Sequence, residues 1–284
     1  MARDMVAAVQ QAIGTRYRIE REIGRGGGAR VFLARTPAGE AVALKVLHPE
    51  LLVSMAADRF LREIHLVSQL KHPHIAPLLD SGEVNWVVYY TMAYIEGPSL
   101  KQHQAVTSPL SIDETRRIAI DLLSALEHAH GYGIVHRDVK PDNVILSSAG
   151  AVLLDFGIAR AMESSGGDRL TKSGMTIGTS GYMAPEQIQG SRQIDGRTDF
   201  YALGCLLFEC LAGRPPFVHP NEMMVIHQHL LQPPPDVREF RPDAPPAFAE
   251  AIARALAKDP ADRWPDAAAM RAAMGLTDRA DVLS

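Results

Sequence analysis

The residues best able to do chemistry lie in one short stretch, His136-Arg137-Asp138-Val139-Lys140-Pro141-Asp142-Asn143. An acid, a lysine two residues on and an asparagine three further suit the transfer of a phosphoryl group. That reaction asks little covalent chemistry of a protein and much positioning and charge neutralisation. Asp138 would accept or orient the proton of an attacking hydroxyl. Lys140 would offset charge on the moving phosphoryl. Asn143 offers a neutral oxygen to magnesium, a hard cation that takes oxygen ligands. Asp155-Phe156-Gly157 follows the apolar run Val152-Leu153-Leu154, 12 residues after Asn143. An isolated Asp-Phe-Gly is common. One at this distance, behind a strand, is expected to add a carboxylate for the metal that bridges the β- and γ-phosphates.

Two features upstream would hold the rest of a phosphate chain. Gly24-Arg25-Gly26-Gly27-Gly28-Ala29-Arg30-Val31 is glycine-rich, and glycines let backbone N–H groups approach phosphate oxygens. A dinucleotide fingerprint would need a helix straight after Gly24, Gly26 and Gly27. Here a strand, a turn and another strand follow, which makes a hairpin lid with Ala29 at the position of its third glycine. Val42-Ala43-Leu44-Lys45 then puts a lysine on the second hairpin strand. A strand lysine is ordinarily a solvated charge. Glu63, among apolar neighbours in Phe60-Leu61-Arg62-Glu63-Ile64, is the expected partner that holds Lys45 on the α- and β-phosphates.

These residues need elements to position them. Residues 1–14 read as a short helical leader, with Val6, Val9 and Ile13 at helical spacing. From Tyr17 to about Tyr94 the character is mostly strand, with a hairpin around Thr36-Pro37-Ala38-Gly39-Glu40. A helix is expected at about 56–70 and a strand at 84–92. From Ser111 on the helical period dominates, and Ile118, Leu122, Ala125, Leu126 and Ala129 share a face. Residues 202–212 are apolar nearly all round, so their helix should be central and buried. Pro233-Pro234-Pro235 and Pro245-Pro246 mark loops. The pattern is a small β-rich lobe, a linker near 93–98 and a larger helical lobe.

Together these motifs resemble those of eukaryotic-type serine/threonine protein kinases, the kind found in bacteria, over about 17–275. The resemblance implies an α+β bilobal fold with ATP between the lobes. The small lobe would be a five-stranded antiparallel sheet with one main helix, and the large lobe mainly helical. A leader at 1–14 would precede a small lobe at about 15–94, a hinge at about 93–97, a large lobe at about 98–275 and a tail at 276–284. Met92 would be the gatekeeper and Ala93-Tyr94-Ile95 the hinge, with the backbone of Ala93 and Ile95 on adenine. Ile23, Val31 and Ala43 would roof the base and Ile145 would floor it. Ala93 departs from the acid often found there, which matters little because only backbone meets the base.

Lys140 is typical of the serine/threonine class. Gly178-Thr179-Ser180-Gly181-Tyr182-Met183-Ala184-Pro185-Glu186 resembles the acceptor-docking segment, with Thr179 near Asp138 and Lys140. Glu186 would pair with Arg263, and Asp199 would hold the catalytic loop backbone. The polar stretch between Gly157 and Gly178 suits an activation loop, with Thr171, Ser173 and Thr176 as phosphorylation sites and Arg137 as partner for the phosphate. The cofactors implied are ATP and Mg2+, with Mn2+ as a substitute. The partners implied are protein substrates and a second copy of the kinase for autophosphorylation.

Bulk properties agree. The 284 residues carry a net charge of -4 with a pI near 6.3, which predicts neither a nucleic-acid stripe nor an anionic membrane surface. Cys205 and Cys210 sit five apart on one helical run and cannot bridge, which fits a reducing, cytoplasmic compartment. No stretch approaches the roughly 20 apolar residues of a membrane span. A tether beyond Ser284 is compatible with that. Eleven histidines invite a metal reading, but His128 and His130 diverge on their helix, and His136 reads as a scaffold for its loop. Two rivals remain. A pseudokinase scaffold would have lost Lys45, Asp138, Asn143 or Asp155, and all four are present. A small-molecule phosphotransferase would not be expected to carry Ala184-Pro185-Glu186 with the glycine lid.

Overall fold

The structure is a computed structural model, and it describes residues 2–25, 29–47, 61, 64–84, 87–156 and 180–276. The described chain falls into two compact units. One lies within residues 1–71 and 76–95, the other within 72–75, 96–156 and the residues from 177 on.

In the first unit helix α1 (Ala2–Ile13) precedes strands β1 (Arg18–Arg25), β2 (Ala29–Arg35), β3 (Ala41–Leu47), β4 (Leu78–Val84) and β5 (Val87–Ala93). The strands make one antiparallel sheet in the order β1-β2-β3-β5-β4. Successive side chains on a strand point to opposite faces. Phe32, Ala34, Val42, Leu44, Val46 and Tyr89 share a buried cluster with Val9 and Ile13 of α1 and with Tyr17. The stripe read in residues 1–14 therefore packs on the sheet, with Val6 at its margin. The other face carries Val31, Ala43, Lys45 and Met92, because the register pairs Val31 with Lys45 and Ala43 with Met92.

The strand expected over 84–92 is two strands. Val84 ends β4, and β5 begins at Val87. Most of β4 escaped notice because Asp80, Ser81 and Gly82 are poor strand formers, and pairing with β5 overrides them. Of the helix expected at 56–70, residues 61 and 64–67 are helical and 68–70 are not. Its remainder lies outside the described residues.

The second unit contains α2 (Leu100–Val106), α3 (Ile112–Gly131), the hairpin β6 (Val144–Ser147) and β7 (Gly150–Leu153), then α4 (Pro185–Ile188), α5 (Arg197–Ala212), α6 (Glu222–Leu231), α7 (Pro246–Ala255) and α8 (Ala267–Ala273). Ser99 and Gln102 close a reciprocal cap at the start of α2, and Ser111 caps α3. Helix α5 is buried along almost its whole length, as its sequence predicts. Gly204 lets α7 come close, since a Cβ there would lie 3.0 Å from the Cβ of Ala255. Segment 72–75 docks on β7, where Ile75 bridges Leu153 and the Leu153 N–H donates to the His74 carbonyl at 2.9 Å.

Candidate active site

The loop between α3 and β6 has no ladder to hold it, so its backbone is bonded piece by piece. Asp199, fully buried near the start of α5, accepts from the backbone N–H of His136 and of Arg137, both at 2.8 Å. His130 donates to the same carboxylate at 2.8 Å. His136, also fully buried, ties the loop to the chain ahead of Asp155. Its Nε2 donates to the Leu154 carbonyl at 2.7 Å, and its Nδ1 accepts from the Asp138 N–H at 3.1 Å. Those two bonds fix a single tautomer. The scaffold role expected of His136 and the anchoring role expected of Asp199 are both present in the geometry. Arg137 and Asp155 adopt φ values of 68° and 61°, a left-handed backbone that non-glycine residues seldom take outside sites where the surroundings impose it.

Within that frame the three loop side chains converge. Lys140 Nζ lies 2.7 Å from Asp138 Oδ2. The amide nitrogen of Asn143 donates to the Asp138 carbonyl at 2.8 Å and to its Oδ2 at 2.9 Å. The nitrogen is thereby committed, which leaves the amide oxygen of Asn143 as its donor to a hard cation. The Leu154 N–H donates to the Asn143 carbonyl at 2.8 Å, so Asp155 follows directly from a residue bonded to the loop. Phe156 is buried and stands edge-on to His136 at 4.6 Å.

The segment after residue 180 is fastened by a buried ion pair. Arg263 donates to Glu186 with two nitrogens, at 2.7 and 2.8 Å, and Thr198 donates to Glu186 at 2.7 Å. Burial pushes the Glu186 carboxyl up, but Arg263 and Thr198 outweigh it and hold the group below its ordinary value. Arg263 also donates to the carbonyls of Ala257, Arg197 and Lys258, so its other N–H groups are satisfied. Tyr182 donates to Glu209, with Lys101 3.7 Å from the same carboxylate. Burial pushes both Tyr182 and Glu209 up.

In the first unit Val31, Ala43, Lys45 and Met92 line one face of the sheet, and Lys45 Nζ lies 5.7 Å from the centroid of Tyr90. Gly24 pairs with Val31, and Ile23 precedes it on β1. The Ala93 N–H donates to the Pro77 carbonyl at 3.0 Å, so its carbonyl is what Ala93 offers a base. Ile145 lies on β6, beside the close approach of Gly97 to that strand. A Cβ on Gly97, at φ 142°, would fall 2.2 Å from the Leu146 carbonyl oxygen, so only glycine fits. Gly26, Gly27, Glu63, Gly157, Thr171, Ser173, Thr176 and Thr179 lie outside the described residues.

Sequence reasoning missed several partners. The second polar end of His130 is satisfied by Asp199, 69 residues away. Gln187 donates to the Arg137 carbonyl at 2.8 Å and accepts from the Ala184 N–H at 3.1 Å, linking α4 to the loop. A glutamine following Pro185-Glu186 gives no signal of its own. His72, His74 and His128 stack, with ring centroids 5.1 to 5.6 Å apart, and among the described residues no group of three His, Cys, Asp or Glu side chains is arranged to hold a metal ion.

Comparison with known proteins agrees with this geometry. The protein kinase domain family matches residues 17–273. A probable serine/threonine-protein kinase of Streptomyces coelicolor is 40% identical over 267 residues, covering 91% of this chain and 39% of its own. The kinase pkn3 of Myxococcus xanthus is 38% identical over 282 residues, covering 95% and 51%. PknD of Mycobacterium tuberculosis is 38% identical over 265 residues, covering 92% and 39%. The crystal structure of the PknI kinase domain of M. tuberculosis is similar at a TM-score of 0.73 and 33% identity, over 92% of this chain and 94% of that one. The chain spans about two-fifths to one-half of the length of these curated relatives.

Proposed function

This chain belongs to the protein kinase domain family, and we propose that it transfers the γ-phosphate of ATP to serine or threonine hydroxyls of proteins. The observation that carries the reading is the Asp138 carboxylate, held by Lys140 and Asn143 in a loop bonded to a fully buried aspartate. Asp138 orients the acceptor hydroxyl and takes its proton as the oxygen attacks phosphorus. Lys140, already in contact with Asp138, balances charge on the phosphoryl group in flight. Lys45 steadies the α- and β-phosphates, with Glu63 as its partner. Ile23, Val31, Ala43, Met92 and Ile145 enclose the adenine, which meets the Ala93 carbonyl and the Ile95 backbone. Gly24, Gly26 and Gly27 cover the phosphates.

The donor set fits a hard divalent cation: an uncommitted amide oxygen on Asn143 and the carboxylate of Asp155. Magnesium bound there supplies charge neutralisation on the phosphate oxygens, and manganese takes the same oxygen ligands. Nothing in the structure favours a nucleotide-binding scaffold without turnover.

Autophosphorylation between two copies, at Thr171, Ser173 or Thr176, is the regulatory step we expect. Arg137 supports it, because its backbone is fixed by Asp199 and Gln187 beside the catalytic acid. No helix among the described residues is long and apolar enough to cross a membrane. Cys205 and Cys210 are free and buried, as a reducing compartment leaves cysteines, and on that ground we place the chain in the cytoplasm. Intact mass measured before and after incubation with Mg-ATP tests the activity. A gain of one or more phosphates is expected, and a gain slower by about 10²–10⁴-fold in the Asp138→Asn protein. Equal gain in both would refute the mechanism.

A further inference from the structure

The peptide group that joins Arg137 to Asp138 is pinned at both of its polar ends. Its N–H, on Asp138, donates to Nδ1 of His136 at 3.1 Å. Its carbonyl, on Arg137, accepts from Nε2 of Gln187 at 2.8 Å. Arg137 sits at φ 68°, a left-handed conformation that a non-glycine residue holds only under constraint, and its own N–H is tied to Asp199 at 2.8 Å. Rotating the plane of the 137–138 peptide would swing the Asp138 carboxylate. Whatever fixes that plane therefore fixes the direction in which the acid points.

His136 and Asp199 are fully buried, whereas Gln187 is half-buried and reaches the loop from α4. Its platform is firm, because the preceding residue, Glu186, is held by two nitrogens of Arg263 at 2.7 and 2.8 Å. Oε1 of Gln187 accepts from the Ala184 N–H at 3.1 Å. With a donor at one end and a carbonyl at the other, the amide fits in one orientation only. Turned over, it would set oxygen against oxygen and N–H against N–H. A carboxylate only accepts, so it would keep the Ala184 bond and lose the Arg137 bond. The side chain thus spans two segments that already meet, since Arg137, Asp138 and Val139 line one small crevice with Tyr182 and Met183.

We propose that Gln187 is a positioning residue for phosphate transfer: its N–H, donated to the Arg137 carbonyl, sets the plane of the 137–138 peptide and with it the direction of the Asp138 carboxylate. The proposal rests on the reading of Asp138 as the catalytic acid of a kinase. Gln187 acts through Arg137 and not on the reacting atoms. Its two bonds have different duties: the one to Ala184 closes the start of α4, and the one to Arg137 serves turnover.

The test separates the two bonds. Phosphate transfer is measured to myelin basic protein and, with no protein acceptor present, to water. ATP affinity is measured alongside. Gln187→Glu keeps the acceptor for Ala184 and loses the donor for Arg137. It should lower kcat for both acceptors about ten- to a hundredfold, with the ATP Kd unchanged. Gln187→Met, which loses both bonds, should fall as far. Gln187→Lys restores a donor alone and should recover most of kcat. A side chain that capped α4 and did nothing more would give the reverse order, Gln187→Glu like wild type and Gln187→Lys impaired, and that order overturns the proposal. So does a wild-type kcat in Gln187→Met. A loss confined to myelin basic protein, with ATP hydrolysis unchanged, overturns it as well, because a misdirected acid serves water no better than serine. Should Gln187→Met fail to fold, the other two variants decide. A wild-type protein that transfers phosphate to neither protein nor water is a different result: it refutes the kinase reading itself, and the proposal falls with it.

Discussion

The strand unit and the helical unit hold their functional side chains by different physics. In the sheet, Val31, Ala43, Lys45 and Met92 face one way by pleat alternation alone. The cluster that fixes them, with Phe32, Leu44 and Tyr89 at its centre, lies on the other face. In the helical unit Asp138, Lys140 and Asn143 stand on a loop with no ladder. Its backbone depends on Asp199, His130, His136 and Gln187, each buried or half-buried and each bonded. A pleat orients a side chain without burying any further polar group. A loop held by buried polar groups requires every partner, since an orphaned one costs about 1–3 kcal/mol. Function should therefore separate from stability in the sheet and at the half-exposed Asp138 itself, and be tied to it at the buried groups that fasten the loop.

Substituting the two key charges gives the largest expected effects. Asp138→Asn should lower phosphate transfer by about 10²–10⁴-fold. Its carboxylate is 33% exposed, so the unfolding free energy should move by no more than about 1 kcal/mol. Lys45→Met should likewise remove transfer and leave thermal unfolding as it was. If Lys45→Met melted the protein, the idea that the sheet carries its lysine as a passenger would be wrong.

Next in size is Glu186→Gln. It leaves Arg263, which is 1% exposed, facing a neutral partner. Breaking a buried pair on one side typically costs about 3–5 kcal/mol, read as a lower urea midpoint at constant slope. Activity should fall with it. Leu44→Ala, in the sheet cluster, should cost about 3 kcal/mol through the cavity it leaves. Below its unfolding transition, however, that variant should bind ATP as the wild type does. A Leu44→Ala protein that is folded but binds ATP tenfold more weakly would erase the contrast.

How much of this could be read beforehand follows the same division. Alternation is written into the sequence, so the hairpin of β2 and β3 and the place of Lys45 on its second strand were legible residue by residue. The catalytic cluster was legible because its members are close in sequence and of unusual types. Its fastenings were not. His130 finds Asp199 and Gln187 finds Arg137 across 69 and 50 residues, and neither residue type announces a partner at that distance. β4 was hidden for the opposite reason: its local composition argues against a strand, and only the neighbouring β5 makes it one.

Acid should distinguish the two units with the smallest effect. Strands β1 to β5 contain no histidine, whereas His72 packs between His74 and His128 on the helical side, with Ser124 3.1 Å from its Nε2 and Asp121 3.3 Å from His74. Burial first, then the rings of His128 and His74, push His72 down from 6.5 to about 4. Between those values the folded chain binds fewer protons than the unfolded one. The contribution is therefore fully present above pH 6.5 and is lost as pH falls through 4. Because the ring is only half-buried, about 1 kcal/mol is a fair expectation. Hydrogen exchange at pH 4.5 should rise in α3 and at 72–75 before it rises in the strands, and His72→Gln should flatten that difference. Strands that open first, or a His72→Gln protein with the same acid profile as wild type, would mean that the histidine stack is not where the helical unit yields.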